Sequence, residues 1–519
     1  MPRPEIDVLI IGAGISGIGA AAHLQSSRPA TLYAILEARE TSGGTWDLFR
    51  YPGLRSDSDL HTFGYAFKPW LGDRALADGP SILRYLRETI TEYGIEQNIR
   101  FGHKVREAHW SSDDACWTVH AEQGPDATLV QITARWLFCA GGYFRYDRGY
   151  TPDLPGLEQF GGRVVHPQSW PEGLDYSNKR VVVVGSGATA VTLVPALCDK
   201  AAHVTMLQRT PTYVLSVPRV DPVHAIASAW LGRERAHHLV RWKNVLLDRL
   251  VFAGSRRYPA RARKLLHWLT ARELPGGYDV DKHFAPPYNP WDQRLCAALD
   301  GDLFRVIRDG RASVVTDRIR AVTETGLSLE SGAMLEADII VTATGLELLP
   351  MAGVTYRVDG HAIRLRDTIT YKGMMLTGLP NFVYALGYTN ASWTLKVDLI
   401  AQHFCRLLSL MDEREYDYTV PEAPPPHART APLIDLTSGY AIRGREMLPR
   451  QASVAPWALK MDYLHDRRVL LDGPVGDHLR FFRTRGAVKP RASLAGIAAD
   501  EVTALTPPLD LPPTSEHIQ

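Results

Sequence analysis

The segment Ile6-Asp-Val-Leu-Ile-Ile-Gly-Ala-Gly-Ile-Ser-Gly17 decides the fold that the sequence predicts. A short apolar run leads into a G-x-G-x-x-G turn, and residues 18–25 follow with the apolar spacing of a helix. The pattern recurs where residues 180–184 lead into Gly-Ser-Gly-Ala-Thr-Ala at residues 185–190. A buried strand, a glycine turn and a helix in this order are typical of dinucleotide-binding units. The sequence therefore predicts an α/β fold with two Rossmann-like domains.

The bulk composition sets outer limits on the class of protein. A chain of 519 residues exceeds what one hydrophobic core usually organises, which favours two or three domains. The net charge of +1 gives no sign of nucleic-acid binding. The five cysteines show no C-x-x-C pair and no metal-ligand spacing, which suits a reducing cytoplasm and predicts no metal site. The sequence has no run of about 18 uncharged apolar residues, so we expect no membrane-spanning helix.

The first glycine turn is expected to bind the pyrophosphate of a dinucleotide. Backbone N–H groups and the N-terminus of the following helix would supply the donors. Glu37 ends the second short strand, Tyr33–Leu36, where an acid can accept a hydrogen bond from a ribose 2′-hydroxyl. A merely structural turn is the alternative, because one such motif alone is a weak signal.

The second glycine turn ends in Ala190, which the motif tolerates. After its next strand, residues 204–207, come Gln208 and Arg209 and no acid. An acid would repel the 2′-phosphate of NADPH, whereas an arginine can pair with it. The turn therefore predicts NADPH rather than NADH. The alternative is that Arg209 is an ordinary surface arginine.

Between the two turns lies FGGRVVHPQSWP, residues 160–171, with the pattern F-x-G-x-x-x-H-x-x-x-W-P. The pattern positions are Phe160, Gly162, His166, Trp170 and Pro171. Taken alone, the segment could be a linker that happens to carry aromatic and proline residues. Flanked by two glycine turns, it resembles the fingerprint of Baeyer–Villiger monooxygenases, flavoenzymes that use NADPH and O2 to insert oxygen beside a ketone carbonyl.

Residues 43–59, GGTWDLFRYPGLRSDSD, resemble a second stretch of the same family. The resemblance implies that Trp46 presents its ring to the flavin, although an isolated tryptophan is more often a core residue. It also implies that Asp57 lies near the flavin and positions a catalytic arginine. Arg55 and Ser56 would lie close to the nicotinamide half of NADPH.

Together, the motifs and the resemblance predict two cofactors, FAD and NADPH. The predicted cofactor-binding residues are Gly12, Gly14, Ser16, Gly17, Glu37, Gly44, Thr45, Trp46, Asp47, Arg55, Ser56, Asp57, Val105, Gly185, Ser186, Gly187, Ala188, Thr189, Ala190, Val191, Gln208 and Arg209.

The chemistry of this family needs a fixed positive charge beside the flavin, to stabilise an anionic oxygen species and the oxyanion that follows. Arg294 and Arg308 are the two candidates. Arg308 is better placed relative to the next strand. Arg294 lies in an aromatic, proline-containing loop, residues 288–294, that resembles the corresponding loop of ethionamide-activating Baeyer–Villiger monooxygenases. We favour Arg294, with Asp57 as its partner, and keep Arg308 as the alternative.

The resemblance to that subgroup extends over residues 184–195, 288–296 and 371–395. It implies an FAD monooxygenase that uses NADPH and O2 to convert ketones to esters or lactones and to oxidise sulfides and thioamides. One alternative is a flavin-containing monooxygenase restricted to N and S atoms, whose fingerprint ends in Tyr or Phe rather than Trp170-Pro171. A dithiol–disulfide reductase is disfavoured because the sequence has no suitably spaced cysteine pair. A non-catalytic dinucleotide sensor is the third alternative.

Residues 233–272 form a basic segment with large apolar residues at helix-like intervals. It contains eleven Lys and Arg residues and two acids, interleaved with residues such as Trp242 and Leu246. Such a segment can contact an anionic membrane surface. A solvated helical face that covers the NADPH side of the molecule is the plainer alternative. We therefore expect a cytoplasmic protein with at most a weak peripheral membrane contact.

The expected architecture is a discontinuous FAD-binding domain and an NADPH-binding domain that is interrupted by helices. The chain from residue 507 contains several Pro residues together with Thr and acidic residues, and we expect it to be disordered. The expected boundaries are 1–145 and 346–519 for the FAD-binding domain, 146–220 and 301–345 for the NADPH-binding domain, and 221–300 for the helical insertion.

Overall fold

The computed structural model describes residues 4–72 and 74–484, so the tail from residue 507 lies outside the described residues. The first stretch of chain supplies most of one large sheet. Its elements are β1 (Ile6–Ile11), α1 (Ile15–Ser27), β2 (Tyr33–Leu36), α2 (Thr45–Leu48), β3 (Arg55–Asp59), α3 (Leu60–Phe63), β4 (Leu76–Asp78), α4 (Gly79–Glu92), β5 (Ile99–Arg100), β6 (His103–Ser111), β7 (Cys116–Gln123), β8 (Thr128–Cys139) and β9 (Phe144–Gly149).

The second stretch supplies a smaller parallel sheet and a group of helices. Its elements are β10 (Arg163–Val165), β11 (Arg180–Val184), α5 (Ala188–Leu197), β12 (His203–Gln208), β13 (Val214–Val217), α6 (Pro222–Leu231), α7 (Arg233–Arg257), α8 (Pro259–Glu273), α9 (Val280–Phe284), β14 (Cys296–Leu299), α10 (Asp302–Arg308), β15 (Ala312–Thr316), β16 (Ile319–Thr323), β17 (Gly326–Leu329), β18 (Met334–Glu336) and β19 (Ile339–Thr342).

The third stretch returns to the first sheet and packs against it. Its elements are β20 (Leu346–Leu348), β21 (Thr355–Val358), β22 (His361–Ile363), β23 (Thr370–Tyr371), β24 (Met375–Leu376), β25 (Phe382–Tyr384), α11 (Trp393–Glu413), β26 (Tyr418–Pro421), β27 (Thr430–Pro432), α12 (Gly439–Gly444), β28 (Arg450–Ala452), α13 (Tyr463–Arg467) and β29 (Leu479–Phe482).

The large sheet has the order β22-β21-β6-β7-β8-β1-β2-β5, and β25 also pairs with β8. Strand β1 is parallel to both β2 and β8. Val8 and Ile10 pack with α1 and α11, whereas Leu9 and Ile11 pack on the opposite face with β7. Because both faces of β1 are covered, its sequence is a continuous apolar run rather than an alternating one.

The smaller sheet has the order β10-β19-β11-β12-β15, and its pairings are all parallel. Strand β11, the glycine turn and α5 form the second dinucleotide-type unit. The chain crosses from the large sheet to the smaller one at β9 and returns at β20. These two strands pair antiparallel with each other. The structure therefore confirms the predicted α/β class with two strand–turn–helix units.

Two expectations about individual elements need correction. Helix α1 begins at Ile15, three residues before the apolar spacing indicated, because the turn itself opens the helix. The insertion predicted over residues 221–300 is helical only to Phe284. Strand β14 returns to pair with β13, and its four residues are too few to distinguish strand from helix by spacing.

Residues 4–72 and 74–484 contain no helix that is both long enough and apolar enough to cross a membrane.

Candidate active site

A cleft of about 500 Å³ lies at the carboxyl end of β1. The first glycine turn, Glu37 and the segment around Trp46 line it on one side. Arg294 reaches it from the second stretch of chain, and Trp393 from the third. Segments far apart in sequence therefore meet at one enclosed site.

The first glycine turn requires its glycines for close backbone approach. Gly12 has a φ of +102°, which side-chain-bearing residues rarely adopt. A Cβ on Gly17 would lie 1.9 Å from the carbonyl oxygen of Gly12, so this glycine lets α1 pack against the turn. Gly14 precedes the first turn of α1, and no side chain caps the helix there. The free N–H groups at this end suit a pyrophosphate.

Glu37 is 5% exposed and lines the cleft at the end of β2. Its carboxylate accepts hydrogen bonds from the backbone N–H groups of Ala13 at 2.8 Å and Arg39 at 3.0 Å. Burial raises the pKa of Glu37, although these hydrogen bonds and the charge of Arg39 act in the opposite direction. Each oxygen keeps a lone pair for a further donor, such as a ribose hydroxyl.

A second pair of glycines lies against the first turn. A Cβ on Gly44 would lie 3.0 Å from Cα of Gly14 and 3.3 Å from the hydroxyl of Tyr146. The Thr45 hydroxyl is 3.0 Å from the same Tyr146 oxygen. The backbones of the two loops therefore approach each other closely, and a side chain at Gly44 would push them apart.

The residues next to Gly44 divide into cleft-lining and structural ones. Trp46 lines the cleft and packs edge-on against Phe63, with ring centroids 5.7 Å apart. Asp47 is 2% exposed and is held by Arg39 at 2.7 Å and Arg50 at 2.6 Å. Asp47 does not line the cleft, so its contacts are those of a structural ion pair rather than of the predicted cofactor ligand. Val105 lines the cleft as expected from the sequence.

Asp57 and Arg294 lie together in the cleft, with 3.7 Å between Asp57 Oδ2 and Arg294 Nη1. Their side chains are 35% and 37% exposed, and both line the cleft. Burial acts to lower the pKa of Arg294, but interactions with Tyr143 and Asp57 outweigh it and raise the pKa above the ordinary value. Arg294 is therefore a permanent cation in the cleft, and its Nε has no hydrogen-bond partner among the described residues.

Arg308, the alternative arginine, lies elsewhere. It is on α10 and pairs with Glu273 at 3.2 Å. It does not line the cleft. The sequence does not show in which direction the last side chain of a short helix points. In the structure, Arg308 at the end of α10 points toward Glu273 of α8.

Contacts on two sides hold the loop that carries Arg294. The carboxylate of Asp292 forms an ion pair with Arg256 of α7 at 2.6 Å. The backbone carbonyl of Asp292 accepts a hydrogen bond from the N–H of Thr437 at 2.9 Å. Trp291 packs against Phe252 of α7, with ring centroids 5.4 Å apart. Trp291 also has a φ of +71°, a strained value for a bulky residue. The loop is thus fixed by its neighbours rather than by local preference.

Arg55 and Ser56 were both predicted near the nicotinamide, and the structure separates them. Ser56 lines the cleft, and its hydroxyl donates to the carbonyl of Ser58 at 3.2 Å. Arg55 instead pairs with Asp302 at 2.6 Å and does not line the cleft.

The second glycine turn is built alike but is open. Gly185 has a φ of +136°, and a Cβ there would lie 2.3 Å from the carbonyl oxygen of Ala343. A Cβ on Gly187 would meet no described atom within 4 Å, so the end of α5 stays accessible. The Ser186 hydroxyl donates to the carbonyl of Thr210 at 2.9 Å. Ala188 and Thr189 are at this accessible end, whereas Ala190 and Val191 are buried in the core.

The two residues after β12 differ in their surroundings. Gln208 is 2% exposed, and its amide donates to the carbonyl of His283 and to Thr316. It is therefore a structural residue rather than a free cofactor ligand. Arg209 is exposed and forms no ion pair within the described part of the chain. Its guanidinium is available to an anion at the edge of the second turn.

The fingerprint segment holds the junction between the two sheets. Nε2 of His166 is 3.1 Å from the carbonyl oxygen of Gly345, and a Cβ on Gly149 would overlap the His166 ring. Gly162 leaves room for the ring of Phe160 in the same way. Trp170 is part of the core around β11, and Pro171 accepts a backbone hydrogen bond from residue 174. These positions act on the interdomain connections and do not line the cleft.

The cleft also contains residues that the sequence did not assign to the site. Tyr143, Tyr388 and Trp393 line it, and the ring of Trp393 lies 5.5 Å from that of Tyr143. Nε1 of Trp393 donates to the Ser16 hydroxyl at 2.8 Å, which ties α11 to the first glycine turn. In the sequence, only the family resemblance over residues 371–395 pointed to Tyr388 and Trp393, and it implied no role for either residue.

The cysteines do not offer a redox pair. All five are unpaired in the structure. Burial raises the pKa of Cys198 and Cys405 to about 11 and that of Cys296, beside Asp57, to about 12. Thiols with such pKa values are poor nucleophiles at neutral pH, which argues against a dithiol–disulfide reductase.

An enclosed and an open glycine turn, each at the end of a parallel strand, define a dinucleotide-binding oxidoreductase. A family model described as pyridine nucleotide-disulphide oxidoreductase matches residues 9–223. The FAD-containing monooxygenase EthA of Mycobacterium tuberculosis (strain CDC 1551 / Oshkosh) is 52% identical over 479 residues, covering 92% of this chain and 98% of that protein. The probable FAD-binding monooxygenase AlmA of Acinetobacter sp is 44% identical, covering 93% of this chain and 97% of that protein.

Solved structures agree at the level of the fold. Oxidized steroid monooxygenase bound to NADP has a TM-score of 0.71 at 22% identity, covering 92% of this chain and 99% of that one. Cyclohexanone monooxygenase from Rhodococcus sp. Phi1 bound to NADP+ has a TM-score of 0.66 at 22% identity, covering 80% and 86%. This chain belongs to the family of FAD-containing monooxygenases. The predicted family, enzyme class and flavin cofactor are confirmed.

Proposed function

We propose that this protein is an NADPH- and O2-dependent monooxygenase that performs Baeyer–Villiger oxidation of ketones to esters or lactones and oxidises sulfides and thioamides. The observation that carries the proposal is the Arg294–Asp57 pair, which faces the same cleft as the first glycine turn. Relatives named as FAD-containing monooxygenases and neighbours titled as NADP-bound monooxygenases support it.

The first cradle would hold FAD through the turn at Gly12–Gly17, with Glu37 at the ribose and Gly44 against the flat ring. The second turn would hold NADPH, with Arg209 at the 2′-phosphate. FAD, once reduced by NADPH, supplies the activation of O2 and the transfer of one oxygen atom. The protein supplies position, charge and exclusion of water.

Arg294 would stabilise the negative charge that develops on the transferred oxygen and on the carbonyl oxygen of the ketone. Its pKa is raised, so it carries this charge at every pH at which the protein is folded. Asp57, 3.7 Å away, would orient the guanidinium. A preorganised cation in a water-poor cleft stabilises developing charge far better than solvent does.

The aromatic walls of the cleft would exclude water and accommodate an apolar substrate. Trp46 and Phe63 form one wall, and Tyr143 and Trp393 form another. Exclusion of water matters because it prevents loss of the activated oxygen as hydrogen peroxide.

The test is to incubate the FAD-loaded protein with NADPH, O2 and a panel of ketones and sulfides, and to measure product against NADPH consumed. Ester or lactone formation in proportion to NADPH supports the proposal. Sulfoxide without any ester would instead indicate a monooxygenase restricted to N and S atoms. Binding of both dinucleotides with no O2 consumption would indicate a sensor.

Two further predictions belong to this proposal. We infer that the FAD-binding domain comprises residues 1–145 and the chain from 346, and that residues 146–220 and 301–345 form the NADPH-binding domain. We also propose that the helical insertion makes a weak peripheral contact with a membrane, because its composition is strongly basic and rich in large apolar residues.

A further inference from the structure

Helix α7 has an apolar stripe on each of two faces. Its inner face is buried, with Val240 and Val245 no more than 5% exposed. Its outer face carries Leu239, Leu246 and Leu250, which are 50%, 46% and 67% exposed. A helix on the surface of a globular protein should be polar on its outer face. The second stripe therefore has no explanation in the folding of this chain.

The helices that pack against α7 also expose large apolar side chains. Trp230 at the end of α6 is 85% exposed, and Trp268 on α8 is 51% exposed. In the described part of the chain, 13 of the 21 exposed large apolar residues lie between residues 223 and 268. Because such residues are ordinarily scattered singly, this concentration marks a contact surface. We call it the insertion face, defined by Trp230, Leu239, Trp242, Leu246, Leu250 and Trp268.

Unpaired cations surround the insertion face. Arg257 and Arg261 lie over the ring of Tyr258, at 5.6 and 5.3 Å, and Arg272 lies over Trp268 at 4.7 Å. No described carboxylate lies within 4.0 Å of these three arginines. By contrast, a cation that fastens the insertion to the rest of the molecule, Arg249, already has an acidic partner in Asp462.

The charge identifies the partner. Residues 233–272 contain eleven Lys and Arg residues and two acids. Two copies of the chain that met through this face would bring like charges together, which disfavours a symmetric dimer. Tryptophan and leucine bordered by arginine and lysine instead suit the boundary between phosphate headgroups and acyl chains.

We propose that the insertion face docks on the surface of an anionic lipid bilayer, with Trp230 and Leu250 entering the headgroup boundary and the surrounding arginines contacting lipid phosphates. The inference rests on the proposed peripheral membrane contact and assigns the residues and the lipid chemistry to it. Helices α6 to α8 would lie along the surface of the bilayer.

Flotation of the full-length, FAD-loaded protein with vesicles tests the proposal. One set of vesicles contains phosphatidylcholine alone, and the other contains equal parts of phosphatidylcholine and phosphatidylglycerol. We expect binding to the anionic vesicles at low salt and much weaker binding to the neutral ones. Replacing three cations together, Arg257→Gln, Arg261→Gln and Arg272→Gln, should reduce binding roughly a hundredfold at low salt and little at high salt.

A second variant separates apolar contact from charge. Trp230→Ser with Leu250→Gln should weaken vesicle binding by about tenfold or more, because both side chains would leave the lipid boundary. Leu129→Gln is the matched control, since Leu129 is 76% exposed on the first sheet, and it should bind as the wild type does. Retained FAD and unchanged NADPH oxidation with a soluble ketone verify that each variant is folded.

Three results would overturn the assignment. The first is that the wild type does not bind anionic vesicles. The second is that the Trp230→Ser, Leu250→Gln variant binds them as tightly as the wild type, and the third is that Leu129→Gln weakens vesicle binding as much as that double variant does. A concentration-dependent dimer that this double variant abolishes, without vesicle binding, would assign the face to a second copy. Oxygenation of ketones is measured separately without vesicles, so failure of docking and failure of the proposed chemistry give different results.

Discussion

The two glycine turns share one sequence pattern and lie in opposite environments. The first is enclosed, because Gly44 approaches Gly14 and Trp393 donates a hydrogen bond to Ser16. The second is open, because a Cβ on Gly187 would meet no described atom within 4 Å. The motif therefore predicts a pyrophosphate site at both turns, and the difference in enclosure predicts that the two turns hold their ligands with different firmness. An enclosed turn suits a resident FAD, and an open turn suits an NADPH that must exchange.

The largest expected effect comes from filling the enclosed turn. In Gly17→Ala the new Cβ would lie 1.9 Å from the Gly12 carbonyl oxygen, so α1 and the turn must move apart. We expect purified protein with no bound FAD, measured by flavin absorbance after addition of excess FAD.

The second turn supplies the control for this substitution, because Ala190 stands there in place of the third glycine. Ala190→Gly should retain FAD and lose only about 0.5–1 kcal/mol of stability. Normal FAD content in Gly17→Ala would show that the turn is less tightly packed than the structure indicates.

The next effect concerns Arg294, which belongs to the stretch of chain with the open turn but faces the enclosed cleft. Arg294→Ala should still bind FAD and oxidise NADPH. Formation of oxygenated product should fall by roughly 10²–10³-fold, with hydrogen peroxide released instead, because one preorganised charge is lost. Product yield and peroxide per NADPH provide the measurement.

Asp57→Asn should cause a smaller loss of the same kind, because Arg294 would lose its partner. Arg308→Ala is the matched control, since Arg308 pairs with Glu273 outside the cleft, and it should retain coupling. Uncoupling by Arg308→Ala with intact product formation in Arg294→Ala would mean that the wrong arginine has been assigned.

A smaller effect tests the open turn. Arg209→Ala should raise the KM for NADPH about ten- to a hundredfold, because an arginine–phosphate interaction contributes roughly 1.5–3 kcal/mol. The KM for NADH should hardly change, and Arg163→Ala, an exposed arginine on β10, is a suitable control. Equal losses for both dinucleotides would contradict the role of Arg209 in recognising the 2′-phosphate.

The smallest expected effect concerns Glu37 in the protein without FAD. Burial raises the pKa of Glu37 in the folded state, so the folded form gains stability from the protonated acid at low pH and loses it as pH rises through that pKa. The melting temperature of the wild type should therefore fall by about 1–3 °C as pH rises through this pKa. Glu37→Gln should remove this pH dependence and melt lower than the wild type, because glutamine keeps only one acceptor oxygen for the N–H groups of Ala13 and Arg39. A difference that is independent of pH would exclude this titration as its cause.

How much the sequence predicted depends on how locally each feature is encoded. The strands Ile6–Ile11 and Arg180–Val184 were predicted with their observed bounds, because a buried parallel strand reads as a continuous apolar run. The positive φ of Gly12 follows from the same local pattern. Arg55 and Gln208 were predicted as cofactor contacts. In the structure the side chain of Arg55 pairs with Asp302, and that of Gln208 donates to the carbonyl of His283. These partners lie too far along the chain to be inferred from the sequence.

The sequence by itself determined that this protein has two dinucleotide turns, which residues form them, and that an acid follows the first and an arginine the second. Tertiary structure alone decided which turn is enclosed, because Trp393 reaches Ser16 across 377 positions of the chain. It also decided that Arg294 rather than Arg308 faces the cleft. A turn is encoded by neighbours in sequence, whereas an enclosed cleft is made by packing between segments whose meeting depends on the whole fold.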